Sequence, residues 1–188
     1  LADKVYFLPD CTEDDEWVYS KGLKFEKGVC KPCFKASSLK RYSQDTKDYI
    51  IYPYNEEQDI FSESFFESQY PNAYAYLSSN KSKLLSRDKG KFQKKCQDGR
   101  AVWFEYGRKQ GLNLNDEKIL VSPILTKKSF MKISHGLFIS GYCFQTKQGS
   151  NTKIDQILEI VESPKFRSWI RVFGDPKQGD YYSIKTAT

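Results

Sequence analysis

The chain has 188 residues, of which 39% are hydrophobic, 29% are charged and 15% are aromatic. This aromatic content excludes a disordered chain, because burial of rings offsets the entropy lost on ordering, and no apolar stretch reaches the ~18 residues of a membrane helix. The net charge of +6 is concentrated in residues 79–132, where fourteen Lys and Arg stand against five Asp and Glu, so the middle of the chain has the charge of a surface that faces a polyanion.

The first third of the chain combines turn-forming residues with one clear strand. Pairs of turn residues recur at Pro9-Asp10, Lys21-Gly22 and Lys27-Gly28. We therefore expect residues 1–33 to form an irregular peripheral segment, with a short strand at residues 5–8. The β-rich run Tyr49-Ile50-Ile51-Tyr52 predicts a further strand, which Pro53 ends.

A helical pattern begins at Pro71, a residue that fits the first turn of a helix because its missing N–H has no partner there in any case. Apolar residues then recur on one helix face until Gly90 ends the pattern. The residues of this face are Tyr74, Leu77, Leu84 and Leu85. The sequence thus predicts one helix between Pro71 and Gly90, with lysines on its other face.

The last part of the chain mixes strands with a pair of helices. Residues 118–121 and 137–139 predict strands, with Gly141 at a bulge or a close approach. Apolar residues at helical spacing predict an amphipathic helix over residues 154–161, and Ser163-Pro164 ends it and caps the next helix.

The second of these helices carries several aromatic residues. Their helical spacing favours a place in the core over a nucleic-acid platform. The residues concerned are Phe166, Trp169, Ile170 and Phe173. Strands and helices that mix without regular βαβ alternation indicate an α+β fold, with small sheets and packed helices.

The five cysteines are odd in number and irregularly spaced, which is typical of a reduced cytoplasmic protein rather than a disulfide framework. Cys30-Lys31-Pro32-Cys33 has the spacing of a zinc knuckle, but a structural zinc site needs a second pair of ligands. The rest of the chain offers only scattered cysteines and the single His135. We therefore predict no metal site, with zinc at this knuckle as the alternative.

The sequence contains few residues that could catalyse a reaction. His135 stands in a turn-like Ser134-His135-Gly136 with no nucleophile motif around it, and no phosphate-binding or dinucleotide-binding glycine motif occurs. We predict no catalytic residue and no cofactor in this chain. The chain begins at Leu1 and its one methionine is Met131, so we expect a piece of a longer polypeptide.

The middle of the chain places basic residues among aromatic ones. Residues 80–91 are rich in lysine, and residues 103–111 read Trp-Phe-Glu-Tyr-Gly-Arg-Lys-Gln-Gly. Arg108 can bind guanine or phosphate with two donors, and Gln110 can pair with adenine. Trp103 and Tyr106 offer stacking faces, although core packing is the alternative for both.

These motifs, in this order, resemble the target-recognition (TaqI-like C-terminal specificity) domain of bacterial adenine-N6 DNA methyltransferases. The family's tyrosine-rich helix with an R-D-x-G-K tail, its W-[YF]-x-[YF]-G-R-x-Q-G segment and its K-I-L-[VT] strand are matched at residues 74–91, 103–111 and 118–121. Further similarity lies at Ser38-Leu39-Lys40-Arg41-Tyr42, at residues 49–54, at residues 157–166 and at Gly179-Asp180-Tyr181-Tyr182-Ser183. The resemblance covers residues 34–188.

The resemblance implies a division of labour within a larger type II (type IIG) restriction-modification enzyme. An N-terminal domain would bind S-adenosylmethionine and methylate adenine, while residues 34–188 would grip and read double-stranded DNA. The partners it implies are duplex DNA and the methyltransferase domain of the same chain, with no membrane. The expected DNA contacts are Lys40, Arg41, Arg87, Lys89, Lys91, Trp103, Tyr106, Arg108, Gln110, Tyr181 and Tyr182.

Two other functions fit the same sequence. The first is a protein–protein interaction module, in which the basic residues only solvate a lysine-rich surface. The second is a small enzyme that uses His135 with a cysteine, which would need a thiol of low pKa.

Overall fold

The structure is a computed structural model that describes residues 3–42, 46–107, 113–125, 129–147, 149–177 and 181–183. It combines helices with small antiparallel sheets, which confirms the predicted α+β class. The chain divides into two compact units. Unit 1 comprises residues 1–33 and 46–113, and unit 2 comprises residues 34–45 and 114–188.

Unit 1 holds the first eleven helices and strands. In chain order they are α1 (Asp3–Tyr6), β1 (Phe7–Leu8), β2 (Thr12–Glu13), β3 (Trp17–Ser20), β4 (Leu23–Glu26), β5 (Cys30–Lys35), β6 (Tyr49–Ile51), α2 (Glu63–Gln69), α3 (Pro71–Ser79), α4 (Lys81–Leu85) and α5 (Lys91–Gln97). Strand β5 enters unit 2 at its last two residues. Short 3₁₀-helices cover Lys27–Val29, Ala36–Arg41 and Arg87–Gly90.

Residues 1–33 are more regular than the sequence predicts. Strands β2, β3 and β4 form a meander whose second turn is the predicted Lys21-Gly22 pair, with φ of +51° and +78°. Strand β6 pairs with both β1 and β5, so the strand predicted at residues 49–52 is confirmed. The strand predicted at residues 5–8 is shorter than expected, because α1 extends to Tyr6.

The two units divide the chain differently from the predicted boundary after residue 33. Residues 1–33 share unit 1 with residues 46–113, because their strands bury Val18 and Phe25 in its interior. The segment predicted to be peripheral and irregular therefore supplies part of the core of unit 1.

The helix predicted from Pro71 to Gly90 is interrupted. Pro71 begins α3 as expected, but Asn80 leaves the helical conformation, and its side-chain amide donates to the Tyr76 carbonyl at 3.0 Å. A second helix, α4, then begins at Lys81. The apolar residues Leu77 and Leu84 are both fully buried, so the predicted apolar face is retained across the break.

Unit 2 holds the remaining strands and two longer helices. They are β7 (Lys118–Val121), β8 (Ile124–Leu125), β9 (Phe130–Ile133), β10 (Leu137–Ile139), β11 (Tyr142–Phe144), α6 (Ile154–Glu162), α7 (Pro164–Phe173), β12 (Asp175–Lys177) and β13 (Tyr181–Ser183). Strand β7 lies between β11 and β9, and β13 lies between β12 and β8. The strands predicted at residues 118–121 and 137–139 are confirmed.

Two local predictions in unit 2 are also confirmed. Gly141 is a close approach, because a Cβ there would lie 2.4 Å from the Cβ of Ala36 and 2.7 Å from the Val121 carbonyl oxygen. Ser163 ends α6 and caps α7, where its hydroxyl accepts a hydrogen bond from the Phe166 N–H at 3.1 Å.

The aromatic residues of α7 are less buried than predicted. Ile170 packs against Val121 and Leu125 in a buried cluster, but Trp169 and Phe173 are 53% and 68% exposed. The prediction that all these side chains belong to the core is wrong for these two. The helix touches the sheet along one narrow stripe, which Phe166 and Ile170 occupy.

Candidate nucleic-acid interface

The basic residues of unit 1 are concentrated in one stretch, residues 81–100, which we call the lysine segment. It contains eight Lys and Arg and two Asp, a net charge equal to that of the whole chain. Leu84 and Phe92 anchor it, because both side chains are buried. The segment covers α4, the 3₁₀-helix Arg87–Gly90 and α5, and its lysines are exposed.

The lysines of this segment carry little compensating charge. Among the residues that the structure describes, no carboxylate lies within ion-pair distance of any of the six lysines. The acid Asp98 pairs with Arg100. The six are Lys81, Lys83, Lys89, Lys91, Lys94 and Lys95. Such a surface has a positive potential that attracts a polyanion.

Arg87 differs from these lysines because its guanidinium is used inside unit 1. It donates to the carbonyl oxygens of Leu84 at 2.6 Å, Glu105 at 2.8 Å and Trp103 at 3.3 Å. The guanidinium carbon also lies 3.6 Å from the ring centroid of Phe92. Three carbonyls and a ring occupy the group that was predicted to contact DNA, so Arg87 acts as a structural tie between the lysine segment and residues 103–105.

The residues after Arg87 have an unusual backbone. Asp88, Lys89 and Gly90 have φ of +52°, +56° and +83°, so three successive residues are left-handed. The Lys91 N–H closes this turn on the Asp88 carbonyl. We call residues 88–90 the left-handed turn. It holds the exposed Lys89 and, next to it, the exposed Lys91, both of which are predicted DNA contacts.

Trp103 takes the core alternative. It is 6% exposed, and its indole N–H donates to the Glu63 carboxylate at 2.7 Å. Its ring meets those of Tyr74 and Phe104 edge-on, with centroids 5.9 and 5.2 Å apart. Both faces of the indole are therefore unavailable for stacking on a base, since Lys81 also lies 4.6 Å from its centroid.

Tyr106 is likewise a packing residue. Its ring lies 4.8 Å from that of Tyr6 and 5.1 Å from that of Tyr54, and its hydroxyl donates to the Ile51 carbonyl. Burial raises the pKa of Tyr106 well above the ordinary value of a tyrosine, with smaller contributions from neighbouring thiol and phenol groups. Its hydroxyl is committed to the interior of unit 1 rather than to a ligand.

Unit 2 brings two predicted contacts together across a long stretch of sequence. The Lys40 ammonium lies 5.9 Å from the ring centroid of Tyr181, and both side chains are exposed. Arg41 is half-buried, with its guanidinium carbon 5.5 Å from the ring centroid of Tyr42. Tyr182 packs against the buried cluster that contains Ile170, so of the two tyrosines Tyr181 is the more accessible.

Two further predicted contacts, Arg108 and Gln110, lie outside the described residues, as do Gly179 and Asp180. Their predicted roles stay predictions.

The sequence analysis did not predict the exposed apolar side of α7. Trp169, Val172 and Phe173 are more than half exposed, and the Trp169 ring lies 5.1 Å from that of Phe173. The signal was present in the basic residues Arg167 and Arg171, which leave room for only a narrow buried stripe on a ten-residue helix.

The cysteines are ordinary buried thiols. Cys30 and Cys33 both lie in β5, and residues three apart on a strand point to opposite faces. Within the described part of the chain, no three His, Cys, Asp or Glu residues are grouped so that they could hold a metal ion. Burial raises the pKa of the Cys30 thiol, which disfavours the thiolate that an enzyme nucleophile needs.

His135 is exposed, and its Nδ1 lies 3.0 Å from the Asn115 side-chain oxygen. That partner is an amide rather than the carboxylate that orients a catalytic imidazole. The contact does not favour the enzyme alternative. No helix among the described residues is long and apolar enough to span a membrane.

Comparison with models of known protein families found no match to this chain, and comparison with curated proteins found none either.

Proposed function

We propose that this chain binds duplex DNA and serves as the specificity domain of an adenine-specific DNA methyltransferase in a restriction-modification system. The observation that carries the proposal is the lysine segment, whose six exposed lysines have no carboxylate partner among the described residues. Phosphate contacts from such residues supply most of the affinity of a protein for DNA. The order of the motifs, from Lys40 to Tyr182, supports the specificity role.

In this proposal the two kinds of contact have separate tasks. The lysines would fix the position of the chain on the phosphate backbone, and base edges would be read by Arg108 and Gln110. Lys40 and Tyr181 would add a second, smaller contact from unit 2, since they form an exposed cation–π pair. The methyl group would come from S-adenosylmethionine held by a separate domain of the parent enzyme.

The test is binding of the chain to a random duplex library at two salt concentrations, with sequencing of the bound fraction. Salt-sensitive binding with enrichment of one short motif is expected, because phosphate contacts release counterions. Salt-sensitive binding without enrichment would reduce the chain to a non-specific clamp. Absence of binding at low salt would contradict the proposal.

A matched pair of charge variants locates the surface. Lys94→Gln with Lys95→Gln removes two charges from the lysine segment, and Lys21→Gln with Lys147→Gln removes two exposed charges elsewhere. The first pair should lower the salt dependence of binding by up to about two in log–log slope, at about 0.9 per phosphate contact. The second pair should leave the slope unchanged.

The alternative function is a protein–protein interaction module without direct DNA contact. The exposed side of α7, with Trp169 and Phe173, is the observation that favours it, because exposed aromatic residues on a helix are typical of protein interfaces. This function predicts no affinity for the duplex library. It also predicts protein binding that changes little with salt, since burial of apolar surface is not screened.

A further inference from the structure

We infer that the left-handed turn, residues 88–90, is the part of the lysine segment that grips a DNA phosphate, and that Arg87 is the positioning residue that holds this turn in place. The inference rests on the proposed DNA-binding function. It changes the role of Arg87 from a DNA contact to an internal support, and it singles out Lys89 among the six lysines.

The backbone of the turn is one that L-residues rarely adopt. Asp88 and Lys89, with φ of +52° and +56°, have side chains that are disfavoured in the left-handed region, and Gly90 follows at +83°. Two successive non-glycine residues in this region persist only where surrounding contacts impose the conformation. Such strain is concentrated at ligand-binding sites, because it sets side chains in place before the ligand arrives.

Arg87 supplies the contacts that impose it. Its three carbonyl partners lie on both sides of the turn, at Leu84 in α4 and at Trp103 and Glu105 further along the chain. Phe92 covers the guanidinium from α5, on the other side of the turn. The residues immediately before and after the turn are therefore tied to the interior of unit 1.

The turn itself is open to solvent. Lys89 and Asp88 are exposed, and a Cβ placed on Gly90 would meet no atom within 4 Å. A phosphate can therefore approach the backbone here as well as the Lys89 ammonium. Because the backbone is already fixed, Lys89 loses less conformational freedom on binding than a lysine on a mobile loop would.

The chain offers a matched control for Lys89. Lys21 has φ of +51°, is exposed and is followed by a left-handed glycine, Gly22, as Lys89 is by Gly90. Lys89→Gly and Lys21→Gly therefore remove the same charge from the same backbone conformation. Glycine adopts this conformation freely, so neither variant should lower the melting temperature.

The first measurement is duplex affinity across a salt series for these two variants and for Asp88→Asn. Lys89→Gly should weaken binding roughly fivefold at low salt and reduce the salt slope by about one, with Lys21→Gly unchanged. Asp88→Asn should tighten binding, because asparagine also tolerates the left-handed region and the substitution removes a negative charge that faces phosphate. Unchanged binding by Lys89→Gly and Asp88→Asn, or equal weakening by both lysine variants, would overturn the inference.

The second measurement tests Arg87 as a positioning residue. Arg87→Lys should weaken duplex binding with no change of salt slope, and it should have little further effect in a Lys89→Gly background. A residue with only a general structural role would weaken both backgrounds equally. A fall of about one in the slope would show instead that Arg87 itself contacts phosphate.

These results separate the inference from the function beneath it. If the unmodified chain binds duplex and the turn variants behave like the unmodified chain, the inference fails and the proposed function stands. If the unmodified chain does not bind duplex at low salt, both fail. Because the Lys89 and Asp88 variants do not touch the Arg87 contacts, they remain decisive even if Arg87→Lys does not fold.

Discussion

Two aromatic stretches of this molecule, residues 103–106 in unit 1 and residues 169–173 in unit 2, have similar composition and opposite environments. Trp103 and Phe104 are buried, while Trp169 and Phe173 are more than half exposed. The difference follows from their partners. Trp103 has a carboxylate acceptor for its indole N–H, whereas α7 touches its unit along one stripe. An aromatic residue is buried where the fold supplies both apolar contacts and a partner for its polar atom.

The largest expected effect comes from truncating the buried stretch. Phe104→Ala should lower the free energy of unfolding by about 4 kcal/mol, because the ring is fully buried between Phe66 and Trp103. Phe173→Ala, the matched change in the exposed stretch, should cost less than about 0.5 kcal/mol. Urea unfolding of the two variants measures both, and equal losses would contradict the comparison.

Alkaline pH should distinguish the buried stretch through its tyrosines. Burial raises the pKa of Tyr6, Tyr54 and Tyr106, so the folded chain keeps these phenols protonated at pH values where the unfolded chain ionises. The unfolded state then binds fewer protons, and the free energy of unfolding falls as pH rises above about 10, by at most about 1.4 kcal/mol per pH unit for each group.

The variant Tyr106→Phe removes one of these groups and should make that fall less steep. It also removes the hydrogen bond to the Ile51 carbonyl, so the variant should be about 1 kcal/mol less stable at pH 7. Urea unfolding between pH 8 and about pH 11 measures both effects. A slope identical to that of the unmodified chain would show that the Tyr106 hydroxyl reaches solvent.

A smaller effect is expected from the indole N–H alone. Trp103→Phe keeps an aromatic ring but loses the donor to Glu63, and it should cost about 1–2 kcal/mol. Glu63→Gln keeps an oxygen acceptor and should cost less. In a double-mutant cycle the two substitutions should be non-additive, because they remove the same hydrogen bond. Additive losses would place the stability of Trp103 in its ring contacts alone.

Local patterns were sufficient for the elements whose cause is local. The helix pair α6 and α7 was predicted from apolar spacing and the Ser163 cap, and strand β7 from its β-rich residues. The strands in residues 1–33 were not predicted in full, since β1 gains its place only by pairing with β6, some forty residues later.

The candidate site divides in the same way. The concentration of lysines was visible in the sequence, because charge along the chain is a local property. The role of Arg87 was not, since its carbonyl partners at Trp103 and Glu105 lie 16 and 18 residues away. The contact between Lys40 and Tyr181 likewise depends on how unit 2 folds. Contacts of this kind leave no periodic trace in the sequence.

The smallest expected effect belongs to the exposed stretch. Trp169→Ser should change the free energy of unfolding by less than about 0.5 kcal/mol, because the side chain is 53% exposed and contacts mainly Phe166 and Phe173 of its own helix. Acrylamide quenching provides a direct readout, since Trp169→Ser should remove much of the quenchable fluorescence while Trp103→Phe should remove little. A loss of stability above about 2 kcal/mol with no change in quenching would mean that the ring is covered, and the contrast between the two stretches would then rest on Phe104 and Phe173 alone.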